Sequence, residues 1–387
     1  MKLLRIQAQG LPLFKDGVDL VFYAQQRVAE DDKDTLSPLT PASRFYLNNT
    51  NAVIGINASG KTSVLKLILL VLDLVNNEPI SHGETRDILG ESNKSVLTVN
   101  FISDSGDLCQ LESVIAVTNR HGELQYRIIQ ETLWVKTFSS IKSKKQLTEF
   151  DGLTPYAVRN GGEDFLPDDT SIIIAYNKKV RQHVKVASLL SMTNFNVLPF
   201  SESIPAAVIQ YLDPTIEALY FEREDQKLTI HLKFYGKKEI LLSDPTELNR
   251  YLSSGTVKGI VTFTLAIQML KEGGYLIVDE LEDHFNKEIA ATLLRFFMDS
   301  SVNKNGGVLI FSTHYPEILD EFNRNDSIFV TRNRDGITVS NLNDILKRND
   351  LKKSDAYQSG ILEGTVPAYE AYMKLKKNIQ ASLEKEG

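Results

Sequence analysis

The sequence contains a single cysteine, Cys109, in 387 residues. One thiol cannot form an internal disulfide or a cysteine-based metal site, and a reducing compartment suits such a chain. Long apolar runs are also absent: residues 67–72 are bounded by Lys66 and Asp73, far short of the ~20 residues of a membrane-spanning helix. The apolar part of the N-terminus is too short and too strand-like for a signal peptide. We therefore expect a cytoplasmic protein without a membrane partner.

Positive charge is in deficit, because 43 lysine and arginine residues face 50 aspartate and glutamate residues, for a formal net charge of -7. This balance argues against a surface built throughout for nucleic acid, so nucleic-acid binding is not indicated, although a local basic stripe remains compatible with it. The basic clusters at residues 141–145 and 178–185 are explained equally well by a solvated surface. Sustained heptads and internal repeats are absent too, which excludes a long coiled coil and a repeat protein.

The composition, 42% hydrophobic and 24% charged, is that of a globular protein. Alternating apolar and polar residues predict N-terminal strands at residues 2–8, 18–23, 95–103, 108–117 and 123–135. The last three are joined by turn dipeptides and predict an antiparallel sheet. An apolar stretch at residues 63–74 predicts a buried helix. Towards the C-terminus, strands and helices alternate: strands at 228–234, 239–242, 275–278 and 308–312, and helices from about 257 and 287.

This pattern predicts an α/β protein with a mixed or parallel sheet core, an antiparallel sheet lobe and an inserted helical region. We predict four regions along the chain. They are an N-terminal lobe at residues 1–135, an insertion at 136–243, a C-terminal lobe at 244–340 and a tail at 341–387.

Residues 55–62 read GINASGKT, between a short apolar run and an apolar, helical stretch. This is the phosphate-loop pattern G-x-x-x-x-G-K-[ST] in the strand–turn–helix context that the match requires. Glycine lets backbone N–H groups approach phosphate oxygens, and the helix N-terminus adds the positive end of its dipole. Lys61 is predicted to bind the β- and γ-phosphates and Thr62 to ligate Mg²⁺. The predicted ATP-binding residues are Gly55, Asn57, Ala58, Ser59, Gly60, Lys61, Thr62 and Ser63.

Two further apolar strands end in polar residues suited to nucleotide hydrolysis. The first ends in Asp279 and Glu280, and the second ends in Thr313 and His314. Because parallel strands bring their carboxyl ends to one sheet edge, we expect these side chains near the glycine-rich loop. Asp279 is predicted to hold Mg²⁺, Glu280 to orient and deprotonate the attacking water, and His314 to sense the γ-phosphate. The alternative is that each polar group only ends its strand in solvent.

The segment Leu252-Ser253-Ser254-Gly255-Thr256 stands at the head of a predicted helix, residues 257–270. Serine and glycine N–H groups at a helix N-terminus can bind an anion, but serine is also a common helix cap, which is the simpler physical explanation. In order along the chain, however, GINASGKT, LSSGT, YLIVDE and FSTH resemble the ATP-binding-cassette (ABC) ATPases, whose LSGGQ-type signature residues 252–256 approximate.

That resemblance implies an ABC-type P-loop ATPase that sandwiches ATP and Mg²⁺ in a head-to-tail dimer or a higher homo-oligomer. The signature, residues 252–256, would act in trans on the ATP held by the glycine-rich loop of another copy. Asp283 or His284 would lie in the dimer-contact loop. The glutamine that joins the metal site to the sheet lobe in this family is not identifiable, and three candidates stay open: Gln110, Gln125 and Gln130.

Within that family the chain is similar to the compact SMC/RecF-like, overcoming-lysogenisation-defect type of ATPase. Thr62 and Leu252 stand farther apart than in transport cassettes, and residues 351–360 are similar to the tails of bacterial members. The resemblance implies a sensor or switch subunit of anti-phage defence that controls a separate effector, a toxin or nuclease, because too few residues follow His314 for a fused nuclease. A RecF-like DNA-binding repair ATPase and a weakly hydrolysing, ATP-gated scaffold are the alternatives.

Overall fold

The computed structural model describes most of the chain, namely residues 1–41, 43–92, 94–161, 166–191, 204–224, 227–282, 285–348, 351–362 and 369–383. The strands are β1 (Lys2–Gln9), β2 (Val18–Val21), β3 (Leu36–Pro38), β4 (Tyr46–Asn48), β5 (Thr50–Ile54), β6 (Ser95–Ile102), β7 (Asp107–Arg120), β8 (Glu123–Thr137), β9 (Ala157–Arg159), β10 (Val186–Ser188), β11 (Ile216–Glu224), β12 (Lys227–Phe234), β13 (Ile240–Leu242), β14 (Tyr275–Val278), β15 (Val308–Thr313), β16 (Ile328–Asn333) and β17 (Ile337–Asn341). The helices are α1 (Lys61–Val75), α2 (Ile173–Val180), α3 (Ala206–Leu212), α4 (Ser254–Glu272), α5 (Lys287–Phe297), α6 (Leu342–Ile345), α7 (Lys353–Gln358) and α8 (Tyr369–Leu383).

The central sheet has the order β10-β14-β15-β5-β16-β17. Its strands pair in parallel from β10 to β16, and β17 closes the far edge in antiparallel pairing with β16. Strands β5 and β14 are buried at every residue, as expected of a parallel sheet that is covered on both faces. The parallel direction brings the carboxyl ends of β5, β14 and β15 to one edge, where the predicted site residues follow.

Helices cover the two faces of this sheet. Tyr275 and Ile277 of β14 pack in one apolar cluster with α1, whereas Leu276 and Val278 pack in a second cluster with α4 and α5. Because successive side chains of a strand point to opposite faces, α1 lies on one side of the sheet and α4 on the other. Helix α1 is buried along nearly its whole length, as the apolar stretch at residues 63–74 predicts.

A second, six-stranded sheet covers the outer side of α1. Its order is β2-β1-β6-β7-β8-β9, and all its pairs are antiparallel. Side chains of β1, β6 and β7 share one apolar cluster with α1, so the helix is held between the two sheets. The protein is therefore a mixed α/β structure with a largely parallel sheet and an antiparallel sheet, as the sequence predicts.

Residues 136–243, predicted as an inserted helical region, contribute strands as well as helices. Besides α2 and α3, this stretch supplies β9 to the antiparallel sheet, β10 to the central sheet and a three-stranded sheet of β11, β12 and β13. The label "helical" is corrected accordingly, and the division of the chain into four regions stays a prediction. Among the described residues, no helix combines the length and the apolar character that crossing a membrane requires.

Candidate functional site

The glycine-rich loop joins β5 to α1 in a backbone conformation that its glycines make possible. Gly60 precedes α1 with φ of 100°, a left-handed value that favours glycine. A Cβ atom at Gly60 would lie 2.6 Å from the Ile337 side chain, and one at Gly55 would lie 2.2 Å from Ser59 Oγ. Within the described residues, no side chain caps α1. The first N–H groups of this helix are therefore directed at the loop, as an anion site requires.

Lys61 opens α1 and turns its ammonium group into the loop. Its Nζ donates to the carbonyl oxygens of Gly55 at 3.1 Å and Ile56 at 3.2 Å. Burial lowers the pKa of Lys61, and the nearby carboxylates of Glu280, Asp279 and Glu282 oppose that shift. A buried cation beside a ring of N–H groups is suited to bind phosphate oxygens.

Thr62 and Asp279 meet next to this lysine. Thr62 Oγ1 donates to Asp279 Oδ2 at 2.7 Å, and Ser312 Oγ donates to the other carboxylate oxygen, Oδ1. Hydroxyl and carboxylate oxygens are the ligands that Mg²⁺ prefers, and Mg²⁺ takes its remaining ligands from phosphate and water. The pair predicted from the sequence as metal ligands is thus brought together and fits that ion.

His314 links the loop lysine to Glu280. Its Nδ1 lies 3.1 Å from Lys61 Nζ, and its Nε2 lies 3.0 Å from Glu280 Oε1. Glu280 has a φ of 49°, and its N–H donates to Ser312 Oγ at 2.8 Å, which holds this unusual backbone. A carboxylate at this edge of the sheet, hydrogen-bonded to an imidazole, has the chemistry of a general base.

Glu282 is hydrogen-bonded to the backbone of His314. Its carboxylate accepts a hydrogen bond from the His314 backbone N–H, and burial raises the pKa of Glu282. Only 6% of the residue is exposed. The contact ties the turn after β14 to the end of β15, so the two strands hold Glu280 and His314 in fixed relation.

The far wall of the site comes from β16 and β17, which the sequence did not single out. Thr331 Oγ1 lies 2.7 Å from Ser59 Oγ, and Asn333 Nδ2 donates to the Ala58 carbonyl oxygen at 3.1 Å. Ile337 packs against Gly60. No motif marks these residues, and only the pairing of β16 with β5 brings them to the loop.

These groups surround one open cleft of about 490 Å³, a size suited to a small ligand. Its lining comprises Leu13, Asn57, Ala58, Ser59, Gly60, Lys61, Thr62, Ser63, Glu280, His314, Asn333 and Ile337. The predicted loop residues other than Gly55, the predicted base and the predicted sensor therefore line a common space, whereas Gly55 and Asp279 are not among its lining residues.

The signature segment lies apart from that cleft. Ser253 caps α4, because its Oγ accepts from the Thr256 N–H at 3.0 Å, while the Thr256 hydroxyl lies 2.8 Å away. None of residues 252–256 is among the described residues that line the cleft. In one chain the segment is thus a capped helix start, and its role across an interface stays a prediction. Asp283 and His284 lie outside the described residues.

The remaining candidates of the sequence do not reach the cleft. Gln110 accepts a hydrogen bond from Asn100 on the neighbouring strand of the antiparallel sheet, and Gln125 and Gln130 lie on β8. In the basic cluster at residues 141–145, Lys144 Nζ donates to the carbonyl oxygens of Gln25 and Gln26. That lysine therefore holds a loop of this chain.

Comparison with protein families matches residues 50–320 to the family described as "AAA domain, putative AbiEii toxin, Type IV TA system". The matched region begins at β5 and runs past His314, so it contains the glycine-rich loop, Asp279 and Glu280. Comparison with curated proteins finds no match.

Proposed function

The chain belongs to this family of AAA domains, a class of P-loop ATPase, and on that premise we propose that it hydrolyses ATP with Mg²⁺ and works as a nucleotide switch. The observation that carries the proposal is the chain of contacts from Lys61 Nζ through His314 to Glu280 Oε1. It joins the proposed phosphate-binding cation, sensor and base at the edge where Thr62 and Asp279 meet.

The residues divide the work as follows. The N–H groups at the start of α1 and the Lys61 ammonium bind the phosphates, and Lys61 exchanges its loop carbonyl partners for phosphate oxygens. Glu280 orients the attacking water and accepts its proton, while His314 holds the Glu280 carboxylate and contacts the γ-phosphate. Thr62 Oγ1 and Asp279 would hold Mg²⁺, which when bound would supply positive charge to the phosphate oxygens.

We test the hydrolytic role with Glu280→Gln, which keeps the shape of the side chain and removes the base. We expect ATP binding to persist while turnover falls at least about 100-fold, and we expect the ATP-bound form to accumulate as a dimer. Phosphate release and light scattering measure the two effects. Glu288→Gln, an exposed change on α5, is the control. Normal turnover in Glu280→Gln contradicts the assignment, and a wild-type protein that assembles without hydrolysing favours the scaffold alternative.

We further propose that the ATP site is completed by residues 252–256 of a second copy in a head-to-tail dimer. The support is the resemblance of this segment to the ABC signature, together with its position at a helix N-terminus. Ser253→Arg should leave ATP binding intact and block hydrolysis, because a long cation would obstruct the interface. The control is Thr118→Arg in the antiparallel sheet. Full turnover by Ser253→Arg would show that no such sandwich forms.

The biological role that we propose is a switch subunit of anti-phage defence that controls a separate toxin or nuclease. Its support is the family description, which refers to a toxin and a type IV toxin–antitoxin system, together with the resemblance to defence ATPases. Cells carrying the gene with its genomic neighbours should resist phage, and Lys61→Ala should abolish that resistance in a plaque assay. Salt-sensitive DNA binding that rises with ATP would instead favour the repair alternative.

A further inference from the structure

Strand β10 forms one edge of the central sheet. Its hydrogen bonds to β14 involve odd-numbered residues: Lys185 O accepts from Tyr275 N at 2.8 Å, and Leu189 N donates to Ile277 O at 2.9 Å. Successive residues of a strand direct their backbone groups to opposite edges. The N–H and C=O groups of Val186 and Ser188 therefore point away from the sheet.

The start of this outer edge is already paired by a side chain. Asn76 Oδ1 accepts from Val184 N at 2.9 Å, and Asn76 Nδ2 donates to Val184 O at 2.8 Å. The amide thus bonds to Val184 as a neighbouring strand would. Two residues further along, the outward backbone groups of Val186 and Ser188 make no such bond with any described residue. An edge of this kind is a template for another extended chain.

A groove of about 690 Å³ runs along the open edge. One wall is the C-terminal end of α1, with Asp73 and the following Glu78, and the other is α4, with Leu265 and Met269. Since α1 and α4 cover opposite faces of the sheet, the groove is a slot between two helices with β10 at its base. The slot combines backbone donors and acceptors with apolar side chains on the α4 wall and carboxylates on the α1 wall, a composition suited to a peptide.

The α1 wall is acidic. Burial raises the pKa of Asp73 to about 6, and the charges of Glu78 and Glu84 add to that shift. Among the described residues, no hydrogen bond or ion pair to the Asp73 carboxylate is found. A partly buried carboxylate with two acidic neighbours attracts a cation, which would relieve the cost of its burial.

We propose that this groove binds an extended segment of a partner protein, which adds to β10 as a further strand and sets a lysine or arginine against Asp73. The complementary charge argues for a partner rather than for the segment of this chain that comes after β10. Residues 192–203, which follow β10 and lie outside the described residues, contain no lysine or arginine. The inference goes beyond the proposed ATPase function, because strand addition requires no hydrolysis.

A library of displayed random nonapeptides, selected on the full chain, tests this inference. We expect the recovered peptides to carry a lysine or arginine, to bind Asp73→Asn about tenfold more weakly, and not to bind Ser188→Pro. Proline removes the outward N–H of residue 188 and leaves the bonds to β14 in place. Glu123→Gln, an exposed carboxylate of β8, should bind as the wild type does. ATP affinity and thermal unfolding check that each variant is folded.

Hydrogen exchange supplies a second measurement that does not depend on the proline variant. The amides of Val186 and Ser188 should exchange rapidly in the free chain and slowly with a selected peptide. Failure to recover any peptide, or equal binding by Ser188→Pro, overturns the inference. Protection of both amides in the free chain also overturns it, because a segment of this chain would then cover the edge. Loss of ATPase activity alone leaves these results unaffected.

Discussion

Helices α1 and α4 both begin at a segment of glycine and serine, yet their first turns are completed in different ways. Helix α1 follows Gly60 in a left-handed conformation, and no described side chain caps it. Helix α4 follows Ser253, whose Oγ accepts from the Thr256 N–H. The start of α1 thus retains its N–H groups for an anion, whereas at the start of α4 the Thr256 N–H is already bonded within its own chain.

A serine at a helix start can both cap the helix through its oxygen and donate a hydrogen bond through its hydroxyl hydrogen. The cap uses a lone pair of Ser253 Oγ, so its hydroxyl hydrogen stays free to donate, either to the Thr256 hydroxyl 2.8 Å away or, in the proposed dimer, to a phosphate bound by the second copy. Gly60, which precedes α1, has no side-chain oxygen that could accept from the first N–H groups of the helix. A bound anion must therefore provide the acceptor. Substitutions can alter the two helix starts one at a time.

Removing the positive charge of Lys61 at the uncapped start of α1 should have the largest effect. Lys61→Ala should lower ATP affinity more than about 100-fold, because the loss of a charge-assisted bond in a buried site costs roughly 2–5 kcal/mol. Titration calorimetry measures the affinity. The matched control is Lys66→Ala on the same helix, whose ammonium pairs with Asp87 at a half-exposed position. Unchanged ATP affinity in Lys61→Ala would refute the assignment of the loop.

Adding one methyl group to Gly60, just before α1, should have the next largest effect. Gly60→Ala should lower the free energy of unfolding by about 2–4 kcal/mol, from left-handed strain plus the clash with Ile337. Gly106→Ala is the matched control: its φ of 84° is also left-handed, but a Cβ there meets nothing within 4 Å. Strain alone should cost it about 1 kcal/mol. If urea unfolding shows the same loss of unfolding free energy for both variants, the Ile337 side chain moves aside at no cost and the clash does not contribute.

Removing the serine cap at the start of α4 should have the smallest effect. Ser253→Ala removes the cap of α4 and should lower the free energy of unfolding by about 1 kcal/mol. Asn286 caps α5 in the same way, because its Oδ1 accepts from the Ile289 N–H. Asn286→Ala should therefore lower the free energy of unfolding by a similar amount. Both values come from urea unfolding. An unchanged stability of Ser253→Ala would show that the cap contributes nothing in solution.

The order of elements was largely predictable from local pattern. The strand at Tyr275–Val278 is observed at its predicted bounds, and the helix predicted at residues 63–74 is observed as Lys61–Val75. The helix predicted from residue 257 begins at Ser254, because the Ser253 cap holds three residues that lie outside the apolar pattern. Continuous apolar runs and caps are local signals, so they survive without knowledge of the fold.

Elements whose role depends on distant partners were not predictable. Strand β10 is only three residues long and belongs to the central sheet solely through its pairing with β14. Thr331 and Asn333 contact the loop from a strand with no motif. The polar stretch at residues 30–43 contains β3, which pairs with β4 and buries Leu36. Nothing within these short segments specifies which strand each one pairs with or which loop it contacts.

The sequence by itself was enough to single out the candidate site residues: the glycine-rich loop, Asp279, Glu280 and His314 are each recognisable from their neighbours in the chain. Only the tertiary structure decided that Lys61, His314 and Glu280 touch in series, and that no described strand pairs with the outer edge of β10. The reason is that strand order sets both results. Hydrogen bonding between strands is a property of pairs that are remote in sequence, which no local pattern encodes.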